Sequence, residues 1–265
     1  MMSDPAPILL TRHGATLLIT LNRPESRNAL DLEMRRALGE AVFTARDSAE
    51  VKAVVITGAG GAFCSGGDLK SLSAEQRPIF VDRDRIRRLH QWFRELVNLE
   101  KPVIAAVNGV AFGAGFNLAL ACDFIVGTPA TRFCAVFARI GLVPDLGGFF
   151  LLPRIVGLQR AKELVFSARE VDADEAQRLG ILYAAYPPES LLDEALALAA
   201  RFGEASTEAL GIAKNILNRS FNLDQDTLAE LEASAQAMSL HTEYHRVAVA
   251  GFLAKKPPAF RWKSS

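Results

Sequence analysis

KPVIAAVNGVAFGAGFNLALACDFIV, residues 101–126, decides how this chain folds. Residues 102–107 form a short, wholly apolar run rich in β-branched side chains, the pattern of a strand buried on both faces. Asn108-Gly109 breaks it, and Gly113-Ala114-Gly115 leads into 116–121, which reads as a buried helix. Residues 124–126 supply the next apolar strand. A strand that ends in glycines and feeds a helix leaves backbone N–H groups unpaired at the helix start. It also aims the positive end of the helix dipole at whatever sits there. Glycine lets that backbone come close to a bound group, because no Cβ intervenes. Taken alone, such a turn is as well explained by strand–helix packing. A second stretch of the same design gives it weight.

That second stretch lies upstream. VKAVVIT (51–57) is a buried strand, GAGGAFCSGG (58–67) is a loop with five glycines, and Asp68-Leu69 follows. Strand, glycine-rich turn and helix thus occur twice, which predicts an α/β fold with a mainly parallel sheet and ligands at the carboxyl ends of its strands. Further upstream, 8–12 and 15–21 form a hairpin around His13-Gly14, and a polar loop runs to Leu30. Asp31 caps a helix whose apolar stripe is Met34, Leu38, Ala41, Val42 and Ala45.

Downstream, 83–99 is a helix with Ile86, Leu89, Phe93, Leu96 and Leu99 inward. Its Arg83, Arg85, Arg87 and Arg88 read as a solvated face balanced by Asp82 and Asp84, rather than as a phosphate site. The glycine-proline turn GLVPDLGG (141–148) precedes an apolar run at 149–152. Helices at 157–167 and 172–179 and a short strand at 183–186 complete the α/β part. From 190 onward only helices are predicted, with stripes through Leu191–Phe202, Leu210–Leu217 and Leu228–Met238, and a last helix begins at Thr242. The expected organisation is an α/β core over 1–189 and a helical region over 190–265.

Half of the 265 residues are hydrophobic, 23% are charged, and Lys+Arg and Asp+Glu balance at 30 each. That balance leaves no electrostatic footprint for nucleic acid. No apolar stretch reaches the ~20 residues a membrane helix needs, and the N-terminus lacks the pattern of a signal peptide. Cys64, Cys122 and Cys134 lack CxxC spacing and read as reduced packing residues of a cytoplasmic protein.

Several chemistries drop out. A dinucleotide fingerprint would need glycine where Phe63 stands, and a P-loop would need lysine where Asp68 follows Gly66-Gly67. Ser65 has no G-x-S-x-G elbow. His13, His90, His241 and His245 share no metal spacing, and no metal is expected. What remains is two glycine turns, 63–68 and 111–117, each following a buried strand. If those strands are neighbours, two backbone N–H groups converge on one oxygen as an oxyanion hole. With no nucleophile–base pair beside it, proton removal next to a carbonyl is more economical than acyl transfer.

NRPESRNAL (22–30), VVITGAGGAFCSGGDL (54–69) and KPVIAAVNGVAFGAGFNLALACDFIV, in this order, resemble the enoyl-CoA hydratase/isomerase (crotonase) family over nearly the whole chain. The resemblance implies a repeated ββα core, a C-terminal helical region packed on a neighbouring subunit, and trimers that often pair into hexamers. Substrates are coenzyme A thioesters, and no cofactor is implied beyond the coenzyme A they carry. By the same resemblance, Gly67 and Ala114 supply the two oxyanion N–H groups. Arg27 meets phosphate or pantetheine, Ala62 and Phe63 border the adenine or thioester by backbone contacts, and Lys255 and Lys256 reach a phosphate, from the same subunit or a neighbouring one. Ala29, Asp68, Leu69, Gly113, Asn117 and Phe137 are the remaining expected substrate-binding residues.

The catalytic acids depart from the hydratase pattern. Asn117 and Phe137 stand at the positions matching the two hydratase glutamates, and neither side chain exchanges a proton near neutral pH. Asp145 is the carboxylate that remains near the site. As a residue after proline in a turn it needs no catalytic role, but GLVPDLGGFFLLPRIVG (141–157) and FLAKKPPAF (252–260) resemble most the ring-epoxide isomerases of phenylacetate breakdown. The resemblance therefore implies an acyl-CoA isomerase with Asp145 as the catalytic group. A hydratase, or an acyl-CoA-binding relative without catalysis, are the alternatives.

Overall fold

The computed structural model describes residues 6–69 and 77–262. Its strands, in chain order, are β1 (Ile8–His13), β2 (Thr16–Leu21), β3 (Ala53–Gly58), β4 (Ala62–Cys64) and β5 (Val103–Val107), then β6 (Val110–Phe112), β7 (Phe124–Gly127), β8 (Arg132–Cys134), β9 (Glu170–Asp172) and β10 (Ala184–Ala185). They make two sheets. The larger has the order β1-β2-β3-β5-β7-β10, antiparallel at the β1–β2 hairpin and parallel throughout the rest. The smaller has the order β4-β6-β8-β9, parallel except for its last pair.

Strands β2, β3 and β5 of the larger sheet are buried on both faces, as their unbroken apolar runs require, while the edge strand β1 is largely exposed. Side chains alternate across it. Leu17, Ile19, Val54, Ile56, Val103 and Ala105 join the main core, while Leu18, Val55, Ile104 and Ala106 face the opposite way. The main-core face is covered by α1 (Leu32–Asp47) and α2 (Ile79–Val97). Asp31 caps α1 by accepting a hydrogen bond from the Met34 N–H at 2.8 Å, and the expected stripe of α1 is buried throughout. At the far end of α1, the Lys101 ammonium, which precedes β5, donates to the carbonyls of Ala45, Arg46 and Ser48 and satisfies acceptors that the helix leaves open.

The smaller sheet was not foreseen. Its strands have three residues each, too short for a period-2 signal. It arises because each glycine turn, instead of leading straight to a helix, first makes a short strand. At Gly109, with φ of +78°, an added Cβ would lie 2.3 Å from the Gly61 carbonyl. Only glycine permits that backbone contact, and it places β4 and β6 side by side.

After β6 come α3 (Ala114–Leu120), then α4 (Gly148–Val156), α5 (Leu158–Ser167) and α6 (Ala173–Arg178). The apolar run at 149–152 is thus helical. The C-terminal helices are α7 (Leu191–Phe202), α8 (Thr207–Leu217), α9 (Gln225–Leu240) and α10 (Glu243–Leu253). They differ in what they bury. Leu191, Ala195, Leu198, Ala199 and Phe202 of α7 cover the second face of the larger sheet, so α7 is a layer of the α/β core although it lies beyond residue 189. Helices α9 and α10 bury no residue at all. No helix among the described residues is long and apolar enough to cross a membrane.

Candidate active site

The two long strands that precede the glycine turns, β3 and β5, are hydrogen-bonded neighbours, and so are the short strands β4 and β6 beyond the turns. The segments that follow β4 and β6 therefore emerge side by side, on the rim of a cleft of about 1200 Å³. Gly66, with φ of +104°, lies so close to the second segment that an added Cβ would sit 2.8 Å from the Phe112 carbonyl and 3.5 Å from the Ala114 nitrogen. Gly67 and Ala114 both line the cleft. Among the described residues, neither of their N–H groups donates to a protein acceptor. Ala114 opens α3, where the first N–H groups have no partner within the helix. Two free donors thus border one cavity.

A second wall comes from the loop after β2. Asn28, buried and at φ of +56°, donates to the carbonyls of Ala59 and Ala62 at 3.0 and 2.8 Å. Its own side-chain oxygen accepts from the Arg23 N–H at 2.8 Å. The Arg27 carbonyl accepts from Ser65, and Leu30 N–H donates to the Gly66 carbonyl at 2.7 Å. This lacing fixes Arg27 and Ala29 on the cleft, opposite the glycine turn. Arg23 lies between Glu25, Asp31 and Asp68, at 3.7, 2.5 and 3.9 Å.

The third wall carries Phe137, Leu142, Val143 and Asp145. Asp145 is half-buried, and its Oδ1 is enclosed without a hydrogen-bond partner. Of the cleft's carboxylates among the described residues, Glu25 and Asp68 lie by Arg23 and Asp82 by Arg85 at 3.4 Å, while Asp145 has no cation within 4.0 Å. Burial raises its pKa above the ordinary carboxylate value, partly opposed by the more distant positive charges of Arg35, His90 and Arg85. An unpaired, desolvated carboxylate facing free N–H donors is suited to move a proton on a bound carbonyl compound. The cleft's cysteine neighbour is not: Cys64 is wholly buried, and burial pushes its thiol up to about 12.

The cleft therefore assembles Arg27, Ala29, Gly67, Asp68, Leu69, Gly113, Ala114, Phe137 and Asp145. Four expected substrate-binding residues, and Lys256 beside the last of them, lie outside its lining. Ala62 and Phe63 are buried in β4, with the Ala62 carbonyl already engaged by Asn28. Asn117 is buried on α3, and its amide donates to the Asp145 carbonyl at 2.7 Å. Lys255 stands exposed in the turn after α10.

The structure also corrects the reading of the arginine run. Arg83, Arg87 and Arg88 are exposed, but Arg85 turns inward with Asp82, Ile86 and His90 to line the cleft. Arg35, on the core side of α1, lines it too and is only 7% exposed. Its position next to Met34 on the buried stripe was the one available hint, since an arginine there is unusual.

Comparison with known proteins shows the family and the fold. The enoyl-CoA hydratase/isomerase family model matches residues 11–263. The 1,2-epoxyphenylacetyl-CoA isomerase of Escherichia coli K12 is 34% identical over 249 residues, covering 93% of this chain and 95% of that protein. The short-chain-enoyl-CoA hydratase of Clostridium acetobutylicum is 32% identical over 254 residues, covering 94% and 95%. Among solved structures, an enoyl-CoA hydratase/isomerase from Cupriavidus metallidurans CH34 superposes with a TM-score of 0.92 at 39% identity, covering 98% of each chain. The chain belongs to the enoyl-CoA hydratase/isomerase, or crotonase, family of acyl-CoA enzymes.

Proposed function

We propose that the protein is an acyl-CoA isomerase that shifts a carbon–carbon double bond, or isomerises a ring epoxide, through an enolate. The observation that carries this reading is Asp145, among the described residues the one cleft carboxylate without an ion pair, in a cleft that also holds the Gly67 and Ala114 N–H groups, which donate to no described acceptor. In a 3-enoyl thioester, the Asp145 carboxylate takes a proton from C2. The electron pair moves onto the thioester oxygen, where two N–H donors each contribute roughly 3–4 kcal/mol of stabilisation. The protonated Asp145 then returns the proton at C4, and the double bond moves from C3–C4 to C2–C3. One carboxylate is enough, because the proton that leaves comes back. The step needs no cofactor, since coenzyme A arrives as part of the substrate.

Hydration needs a base for water and an acid for C2. The two positions that resemble those groups hold Asn117 and Phe137, and the Asn117 amide is engaged by the Asp145 carbonyl. Arg27 on the cleft wall is the residue proposed to meet the coenzyme A moiety. The bare outer surfaces of α9 and α10 support assembly into trimers or hexamers, in which Lys255 would serve a neighbouring subunit's cleft. Three buried, unpaired cysteines suit a cytoplasmic enzyme.

The test is product analysis of a 3-enoyl-CoA in deuterated water. Isomerisation converts the 3-enoyl-CoA without adding water, whereas a hydratase leaves it unreacted and instead adds one water to a 2-enoyl-CoA assayed beside it. Asp145→Asn should keep acyl-CoA binding but lose at least ~10²-fold in turnover and C2 exchange, the low end for a missing general base. Parental exchange in that variant would remove Asp145 as the base.

A further inference from the structure

Arg35 is a charged side chain placed where charge is costly. It projects from the buried face of α1, is more than nine-tenths buried, and lines the cleft on the side of Asp145. It makes no hydrogen bond and no ion pair with any described residue, and its Nε is fully enclosed. A guanidinium carries five N–H donors in a fixed fork and cannot shed its charge at neutral pH. More than nine-tenths buried and without a partner among the described residues, it demands acceptors. Asp145, the nearest candidate, stays beyond 4.0 Å, and Asp31 is already paired with Arg23. Arg85 repeats the pattern on the facing helix: its terminal nitrogen meets Asp82 at 3.4 Å, while its Nε is enclosed without a partner. Both arginines line the cleft, and the charge of each acts on the Asp145 carboxylate.

We infer that Arg35, flanked by Arg85, receives an oxygen atom carried on the substrate's acyl group, so that the site selects acyl-CoA thioesters bearing an oxygen function at C4 or beyond over plain hydrocarbon chains. The inference rests on the reading of the cleft as an acyl-CoA site and narrows its substrate class. The thioester oxygen lies at Gly67 and Ala114, and Asp145 works at C2 and C4. A group alongside Asp145 on the inner wall therefore meets the acyl chain beyond C3. A hydrocarbon there would leave the guanidinium donors unpaired in a dry pocket, and that penalty falls on the wrong substrate. Hydroxyl, ether and carboxylate oxygens share the acceptor chemistry.

Calorimetric binding of saturated, unreactive thioesters tests this without relying on turnover. Hexanoyl-CoA, 4-methoxyhexanoyl-CoA, 6-hydroxyhexanoyl-CoA and adipoyl-CoA are compared on the full-length protein. At least one oxygenated chain should bind about tenfold or more tighter than hexanoyl-CoA, and which one separates a neutral oxygen from a carboxylate. Arg35→Met should collapse that gap, chiefly by tightening hexanoyl-CoA, since the unpaired fork that penalises a plain chain is gone. Arg35→Lys, which keeps the charge and loses the fork, should shrink it several-fold and stands in if the methionine variant does not fold. A flat ranking in the parent, or a gap that survives both variants, overturns the inference. Failure of every thioester to bind would instead overturn the acyl-CoA reading itself. Absence of 3-enoyl turnover with the ranking intact would overturn only the isomerase.

Discussion

The side-chain amide of Asn117 donates to the main-chain carbonyl of Asp145 at 2.7 Å, tying the helix that starts at Ala114 to the turn that carries the carboxylate. Gly148 closes over this contact, since a Cβ there would lie 2.6 Å from the Asn117 amide nitrogen. One side chain thus sets the distance between a free N–H donor and the proposed base. Asn117→Ala should leave the carbonyl with the Gly148 N–H, at 2.9 Å, as its one donor among the described residues and let the turn shift. With misplacements near 1 Å costing up to ~10²-fold, kcat should fall by about 10–100-fold while KM changes less. Steady-state kinetics checks this, and an unaltered kcat would mean that the turn is held by other contacts.

Asp145 sets a pH dependence whose sign follows from its raised pKa. As a base it must be ionised, so kcat/KM should fall as pH drops through a value above the ordinary carboxylate range. Removing the opposing charge with Arg35→Met should move that limb to higher pH. Stability runs the other way. A carboxyl whose folded pKa is raised favours the fold while it is protonated and loses that contribution as pH rises through the folded value. Asp145→Asn should therefore melt at a higher temperature than the parent at pH 7–8. The gap should close as pH falls to about 4, the range of an unperturbed Asp. Melting curves across pH decide it. A variant no more stable than the parent at neutral pH would show that burial of the ionised carboxylate carries no cost.

What could be read from the sequence follows from the length of each signal. Strands β2, β3 and β5 are apolar enough to declare burial on both faces, and Asp31 marks the start of α1 within one residue. The pairing of β4 with β6 could not be read, because three residues at Ala62–Cys64 and Val110–Phe112 carry no period. It is nevertheless this pairing that brings Gly67 to Ala114. The charge-rich face of its helix reads as solvated at Arg85, and only the position of α2 against the cleft shows otherwise. Ala62 and Phe63 lie in a motif that borders the site, yet the β4 pairing turns them into core.

Gly66 is the most restrictive position of the oxyanion loop. Its φ of +104° is strained for any residue with a Cβ, and that Cβ would press on the Phe112 carbonyl at 2.8 Å. Gly66→Ala should push the Gly67 and Ala114 N–H groups apart. Losing one such donor costs roughly 10²–10³ in kcat elsewhere, and the variant should lose at least that with Arg27 and Asp145 intact. C2 deuterium exchange on a saturated acyl-CoA reads enolate formation directly, and exchange at the parental rate would separate Gly66 from the site.

The last prediction concerns the helices that bury nothing. Phe252 on α10 is 81% exposed and Val247 60%, and Met238, Leu240 and Leu253 lie open beside them on α9 and α10. Apolar surface of that extent on consecutive helices is costly in water and marks a contact surface. Its hydrophobic character suits a permanent interface between copies of one chain. Sedimentation equilibrium at micromolar concentration should give a multiple of three subunits. Phe252→Glu, which places a charge at the centre of the patch, should shift it toward monomer without unfolding α7, whose buried residues lie on the sheet. If Lys255 reaches a neighbour's substrate, the same variant should raise KM for acyl-CoA. A parent that sediments as a monomer would leave these helices without the partner their exposed side chains require.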